Sequence, residues 1–255
     1  MKRTSMIKTG LWTLGALIFL SALSFAERNV AANQVSDIEV IIRQTEQGNF
    51  ISEIDVEDRL NDFYPPSLHG ENIKGLNLNE LDSLVESSPF VKQAKVYSNL
   101  EGKLYVDINQ EIPLLRIINN KGKSYYISTE GKKLPLSAHR TTRVPVATGF
   151  INEEVYPIDS LQSTQLKDLY SIAKKLEERP FFKALTGQLY VNKTNDILLI
   201  TKAEERHDII LGNAENIDTK LDNLYQFYTK VLPIKGWDYY STINLKFKDQ
   251  IVAKK

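Results

Sequence analysis

The side chains in this sequence that could do chemistry are few and scattered. Its three histidines, His69, His139 and His207, lie far apart, and none has the spacing of a metal-ligand set. There is no cysteine, so disulfides, thiolate metal sites and thiol nucleophiles are excluded together. His207 sits in "EERHD", which reads as a solvated charged turn between two strands. Asp55, Glu57 and Asp58 cluster, but they fall in the first turn of an expected helix, where carboxylates favour the helix dipole. Ser137 and His139 stand two apart in a loop, which is no triad geometry. No glycine-rich loop follows a strand to cradle phosphate. Asn192-Lys193-Thr194 matches a glycosylation sequon, a frequent chance match. Lys plus Arg equals Asp plus Glu, 32 each, so no charge excess points to nucleic acid.

With so little reactive chemistry to position, the order of elements carries more information. Ile38, Val40 and Ile42 alternate as a strand. Ser52 and Asp55 form an acidic variant of the capping box ahead of Val56, Leu60, Phe63 and Tyr64, and Pro65-Pro66 ends that helix. Asn77 and Glu80 repeat the cap before Leu78, Leu81, Leu84 and Val85, with a stop near Pro89. "FVKQAKVYS" and "KLYVDINQ" then flank a turn containing Gly102. Residues 35–112 thus read β-α-α-β-β.

After Pro113, "LLRIINN", "SYYIS" and "RVPVATG" read as strands. Asp159-Ser160 is the expected cap of a helix carrying Leu166, Leu169, Tyr170, Ala173 and Leu176, ended by Pro180. "GQLYVNKTNDILLIT" is a hairpin and "HDIILG" a strand. A second helix runs from Asn216 through Ile217, Leu221, Leu224, Tyr225 and Tyr228 and stops before Pro233. "STINLKFKDQIVAKK" closes the chain as a hairpin, with Ile243, Leu245 and Phe247 on one face. Strands with two amphipathic helices predict an α+β domain, its sheet covered on one face. Trp237, Tyr239 and Tyr240 cluster before the last hairpin, as core packing or as a partner contact.

Lys2, Arg3 and Lys8 precede a charge-free run over residues 10–26, closed by Glu27 and Arg28. This orients the N-terminus to the cytoplasm. Seventeen residues span roughly 25 Å as a helix, and starting at Met6 with Lys8 snorkelling brings this to about 31 Å, the thickness of a bilayer core. Ser24-Phe25-Ala26 equally suits a signal-peptidase site. Either way, residues 29–255 are exported.

Together, the basic stub, the apolar segment, β-α-α-β-β and a sheet with two helices resemble the FtsQ/DivIB family of bacterial cell-division proteins. The residues carrying the likeness are Pro89, Phe90-Val91, Val96, Gly102, Val106 and Glu111-Ile112-Pro113, then "SYYISTEGKKLPL" with Gly131 at its turn, "VPVATG" and "INLKFKDQIVA". The resemblance implies a cytoplasmic stub (1–9), a retained transmembrane helix (10–28), a linker (29–34), a POTRA-like domain (35–112) and a mixed-sheet β domain (113–255). It further implies a scaffold without catalysis or cofactor in the cytoplasmic membrane at the division site. Its partners would be small coiled-coil proteins of the FtsB and FtsL type and, through them, the septal peptidoglycan synthase.

By the same likeness Phe247 takes the place of a partner-contacting tyrosine, and Gln250 to Lys255 form the edge strand. The expected partner surface is Tyr240, Phe247, Lys248, Gln250, Ile251, Val252, Ala253 and Lys254. An open edge is commonly guarded by lysine. Here Lys246, Lys248, Lys254 and Lys255 would repel self-pairing and attract an acidic partner strand. The competing reading is an exported ligand-binding or hydrolytic protein with a cleaved signal peptide.

Overall fold

Ser52 opens its helix as its spacing from Asp55 predicts. The Ser52 hydroxyl accepts from the Asp55 N–H at 3.2 Å, and the Asp55 carboxylate accepts from the Ser52 N–H at 2.8 Å. The computed structural model describes residues 14–21, 34–45, 48–157, 160–202, 207–248 and 250–255. It divides into two compact units, one built from residues up to Arg43 with Ile51–Asn109, the other from Gln44–Phe50 with Gln110–Lys255. Residues 14–21 are helical (α1). Among the described residues no helix is long and apolar enough to cross a membrane. The expected stub and most of the expected transmembrane and linker segments lie outside those residues.

In the first unit the elements are β1 (Asp37–Ile42), α2 (Glu53–Phe63), a 3₁₀ turn (Ile73–Gly75), α3 (Leu78–Glu86), β2 (Val91–Ser98) and β3 (Lys103–Gln110). The sheet order is β1-β3-β2, with β1 parallel to β3. Parallel neighbours need a crossover, and the two helices supply it. Val56 and Leu60 from α2, Leu81 and Val85 from α3, and Ile38, Val40, Leu104, Val106 and Ile108 from the sheet form the core. Burying each such side chain contributes about 1.5–3 kcal/mol. Gly102 has φ +91°, and a Cβ there would stand 2.5 Å from the Gln34 carbonyl, so the hairpin turn requires glycine. Edge strand β2 is capped from α3. The Asp82 carboxylate accepts from Val96 N–H at 2.6 Å and Glu86 from Ala94 N–H at 3.0 Å.

The second unit holds a nine-stranded sheet of order β12-β11-β10-β9-β8-β7-β4-β5-β6. Its strands are β4 (Pro113–Ile118), β5 (Ser124–Ser128), β6 (Lys133–Leu134), β7 (Val146–Gly149), β8 (Thr186–Val191), β9 (Ile197–Thr201), β10 (Asp208–Gly212), β11 (Thr242–Asn244) and β12 (Val252–Lys254). The pairs β4/β7, β7/β8 and β10/β11 are parallel, which makes the sheet mixed. Two of these parallel steps are bridged by helices. α4 (Thr164–Glu177) and α5 (Pro180–Leu185) lead from β7 to β8. α6 (Ile217–Gln226), a π turn (Phe227–Val231) and α7 (Leu232–Lys235) lead from β10 to β11. Leu166, Leu169, Ile172, Ala173 and Leu176 of α4, and Leu221 and Leu224 of α6, pack on strand residues such as Ile117, Leu189, Leu199, Ile209 and Ile243 in one core cluster.

Three local expectations are corrected. The cap of α4 is Ser163, whose hydroxyl accepts from Leu166 N–H at 3.2 Å; Asp159 lies outside the described residues. Pro180 does end α4, but it also begins α5 near that helix's N-terminus, where its missing N–H costs nothing. The last helical stretch does not stop before Pro233. A π turn absorbs the irregularity and Pro233 enters α7 near its start. The second unit therefore has more helical segments than the two expected.

Candidate functional site: the two edges of the larger sheet

A sheet of nine strands leaves two edges, and they are built differently. At one end β6 is only two residues long, and its Lys133 is fully buried. The Lys133 amine lies 2.5 Å from the Glu153 carboxylate and donates to the Glu154 carbonyl at 3.1 Å. Glu153 also accepts from the Gln162 and Ser163 N–H groups at 3.0 and 2.9 Å, which joins the pair to the start of α4. Burial works to raise the Glu153 carboxyl. Lys133, Ser163 and the backbone donors outweigh it and hold the group at about 2. A very short edge strand with an inward-pointing charge is a recognised guard against strand addition.

The other edge is β12. It pairs antiparallel with β11, as Thr242↔Lys254, Ile243↔Ala253 and Asn244↔Val252, and has no neighbour on its outer side among the described residues. Ile251 and Ala253 are partly buried against the core. Val252 is 46% exposed, and Lys254 is also exposed. The hairpin is fastened at its base by Ser241 N–H donating to Lys254 O at 2.8 Å, and Leu245 N–H extends the ladder to Ile210 O at 2.9 Å.

The expected partner residues are only partly brought together. Val252, Ala253 and Lys254 form the edge strand, with Ile251 immediately before it; Gln250 precedes it, exposed. Phe247 was expected to share a face with Ile243 and Leu245. It does not, because β11 ends at Asn244: Ile243 and Leu245 are buried while Phe247 is 53% exposed. Phe247, Lys248 and Gln250 instead line a cavity of about 370 Å³ with the Asn213–Asn223 region. Tyr240, at the base of the hairpin, is partly buried against the core with its ring 5.5 Å from Phe227. Of its neighbours, Trp237 and Tyr239 are exposed.

Other residues around the hairpin escaped the sequence reading. His207 is not in a solvated turn. It is 3% exposed, with Nδ1 2.6 Å from the Tyr240 carbonyl and its ring edge-on to Tyr228. Its charged neighbours in sequence masked this; the only signal was its place directly before the apolar run of β10. Lys246 pairs with Asp196 at 2.8 Å. Burial would raise the Asp196 carboxyl, but Lys246, Thr194 and Asn192 hold it low. Lys220 donates to the carbonyls of Leu211 and Asn213 at 2.8 and 2.9 Å, and burial pushes its amine down. Lys255 lies 4.5 Å from the centre of the Tyr239 ring; hydrogen bonding between the two lowers the phenol and raises the amine.

The weak catalytic candidates resolve into structural parts. Asp55 belongs to the capping box. Ser137 donates to the Phe50 carbonyl at 2.7 Å and accepts from His139 N–H. The Asn192 amide oxygen organises the β8–β9 turn by accepting from Thr194 and Asp196 N–H. Among the described residues no group of three or more His, Cys, Asp or Glu could hold a metal ion.

A β-α-α-β-β unit followed by a larger mixed sheet with several helices is the arrangement of a POTRA-like domain followed by a β domain. Family comparison agrees: a POTRA-like domain model matches residues 33–109, and a model described as FtsQ/DivIB, C-terminal related, matches residues 112–254. The chain belongs to the FtsQ/DivIB family. A curated relative, "Cell division protein DivIB" of Clostridium tetani (strain Massachusetts / E88), is 23% identical over 189 residues, covering 71% of this chain and 68% of the relative. Family membership makes this a cell-division protein.

Proposed function

We propose that the chain is a membrane-anchored, non-catalytic scaffold of the division machinery that captures FtsB- and FtsL-type partners by strand addition on β12. Through them it links to the septal peptidoglycan synthase. The observation that supports this reading is the asymmetry of the two edges. β6 is closed by its length and by the pairing of buried Lys133 with Glu153, whereas β12 has one neighbour among the described residues. The exposed Lys248 and Lys254 beside it suit an acidic segment. Phe247 offers an exposed aromatic anchor at the far end of the hairpin. The charge-free run 10–26 behind Lys2, Arg3 and Lys8 supports a single-pass anchor with the N-terminus in the cytoplasm and both units outside.

The test is a photo-crosslink scan over residues 240–255 in living cells. Crosslinks to a small coiled-coil division protein are expected at Phe247, Val252 and Lys254, and not at buried Ile243 or Leu245. A scan that is silent along β12, while control positions placed in the first unit crosslink strongly, would overturn the reading.

A further inference from the structure

A second surface of the larger unit carries a pocket with an excess of positive charge. Where β4 begins, the segment 140–145 encloses a pocket of about 590 Å³ floored by Pro113 and its neighbours. The β4/β5 ladder shifts register between Pro113 and Leu115, a bulge of the kind that shapes binding sites. The pocket walls are fixed by Arg116 N–H on Pro145 O and Thr129 N–H on Ile112 O, at 2.9 and 2.8 Å.

Its charge is unbalanced. Arg140, Arg143 and Lys183 line it against one acid, Glu177, which Lys183 already pairs at 2.5 Å. Arg140 and Arg143 have no ion pair or side-chain hydrogen bond among the described residues. The Arg140 guanidinium lies over Gly48, where a Cβ would come within 2.5 Å of the guanidinium carbon, so a glycine with φ +82° makes room for it. Thr142 is 9% exposed, lines the pocket, and its hydroxyl has no partner among the described residues. The Thr142 hydroxyl and the two guanidinium groups together offer a cluster of donors suited to an oxyanion. The buried carboxylate of Glu111 is 3.2 Å from Lys132 and is not part of the lining.

We infer that this pocket receives carboxylate side chains of an acidic peptide segment from a partner protein, held by Arg140 and Arg143 with Thr142 as a further donor. Guanidinium groups match carboxylates two bonds at a time. Pro113 and Val144 offer apolar contact to the aliphatic part of such a peptide. Glu177 at the wall disfavours a dense phosphate polymer. The site is separate from β12, so it stands or falls independently of strand addition there.

The experiment is fluorescence anisotropy of a labelled hexaglutamate peptide with the full chain in detergent. Arg140→Gln with Arg143→Gln is expected to weaken binding at least tenfold, with the circular dichroism spectrum unchanged because both side chains are exposed. Lys248→Gln with Lys254→Gln, at the hairpin, is expected to change it less than twofold. Arg140→Glu with Arg143→Glu is expected to reverse preference toward labelled hexalysine. Unchanged hexaglutamate binding in the double glutamine variant, loss in the hairpin variant instead, or tighter binding of inorganic phosphate than of the peptide would each overturn the inference.

Discussion

Deleting residues 252–255 should abolish partner capture, if β12 is the docking edge proposed above, and barely affect the fold. β12 makes three register pairs with β11, and about three ladder bonds at a net ~1 kcal/mol each favour the folded strand. Against this, ordering the backbone of its three residues costs roughly 3–6 kcal/mol. The difference lies within about 3 kcal/mol of zero, so the strand is nearly neutral for stability. For a domain of this size that is a shift in Tm of under about 12 °C. The assay is paired: thermal unfolding of the full chain and the truncated chain, and co-purification of the small coiled-coil partners from solubilised membranes. Loss of capture with a small Tm shift fits a strand held for binding. If the truncated chain still captures the partners, or if its larger unit unfolds, the reasoning is wrong.

Phe247→Ala should weaken partner binding by at least ~1 kcal/mol in calorimetry with no loss of stability, since the ring is exposed; an unchanged affinity would make it a bystander. Lys133→Met should destabilise the larger unit by about 3 kcal/mol in urea unfolding, because it removes the cation from the largely enclosed Glu153 carboxylate, and adding Glu153→Gln, which keeps an acceptor for the Gln162 and Ser163 N–H groups, should recover part of that. The Glu153 carboxyl, ordinarily at 4.5, is held at about 2 in the fold, so its contribution is complete above about pH 4.5 and is lost as pH falls through about 2. An acid titration of stability that is flat across that window in the wild type, or unaltered in Glu153→Gln, would refute this.

Local rules carried most of the architecture. The Ser52–Asp55 box, the Asn77 cap, the Val56/Leu60 and Leu81/Val85 stripes, and the alternation through β2 and β3 depend on neighbours within a few residues. The family resemblance likewise rested on element order, which survives when individual residues change. The irregular places were less legible. Whether Pro180 and Pro233 end a helix or begin one depends on where the chain must turn to meet the next strand, and that is set by the sheet.

The sequence by itself determined two units, their helix and strand types, the lack of thiol chemistry, and a terminal hairpin with an exposed basic character. The tertiary structure alone decided which strands became edges, since that is a property of strand order in space. It closed β6 with a lysine whose partner, Glu153, is distant in the chain, and left β12 one-sided. It also buried His207 against the Tyr240 carbonyl, turned Phe247 outward, and brought Arg140 and Arg143 to one pocket with Pro113, Glu177 and Lys183. Burial and charge pairing of this kind join residues far apart in sequence, and periodicity along a chain records only what lies next to what.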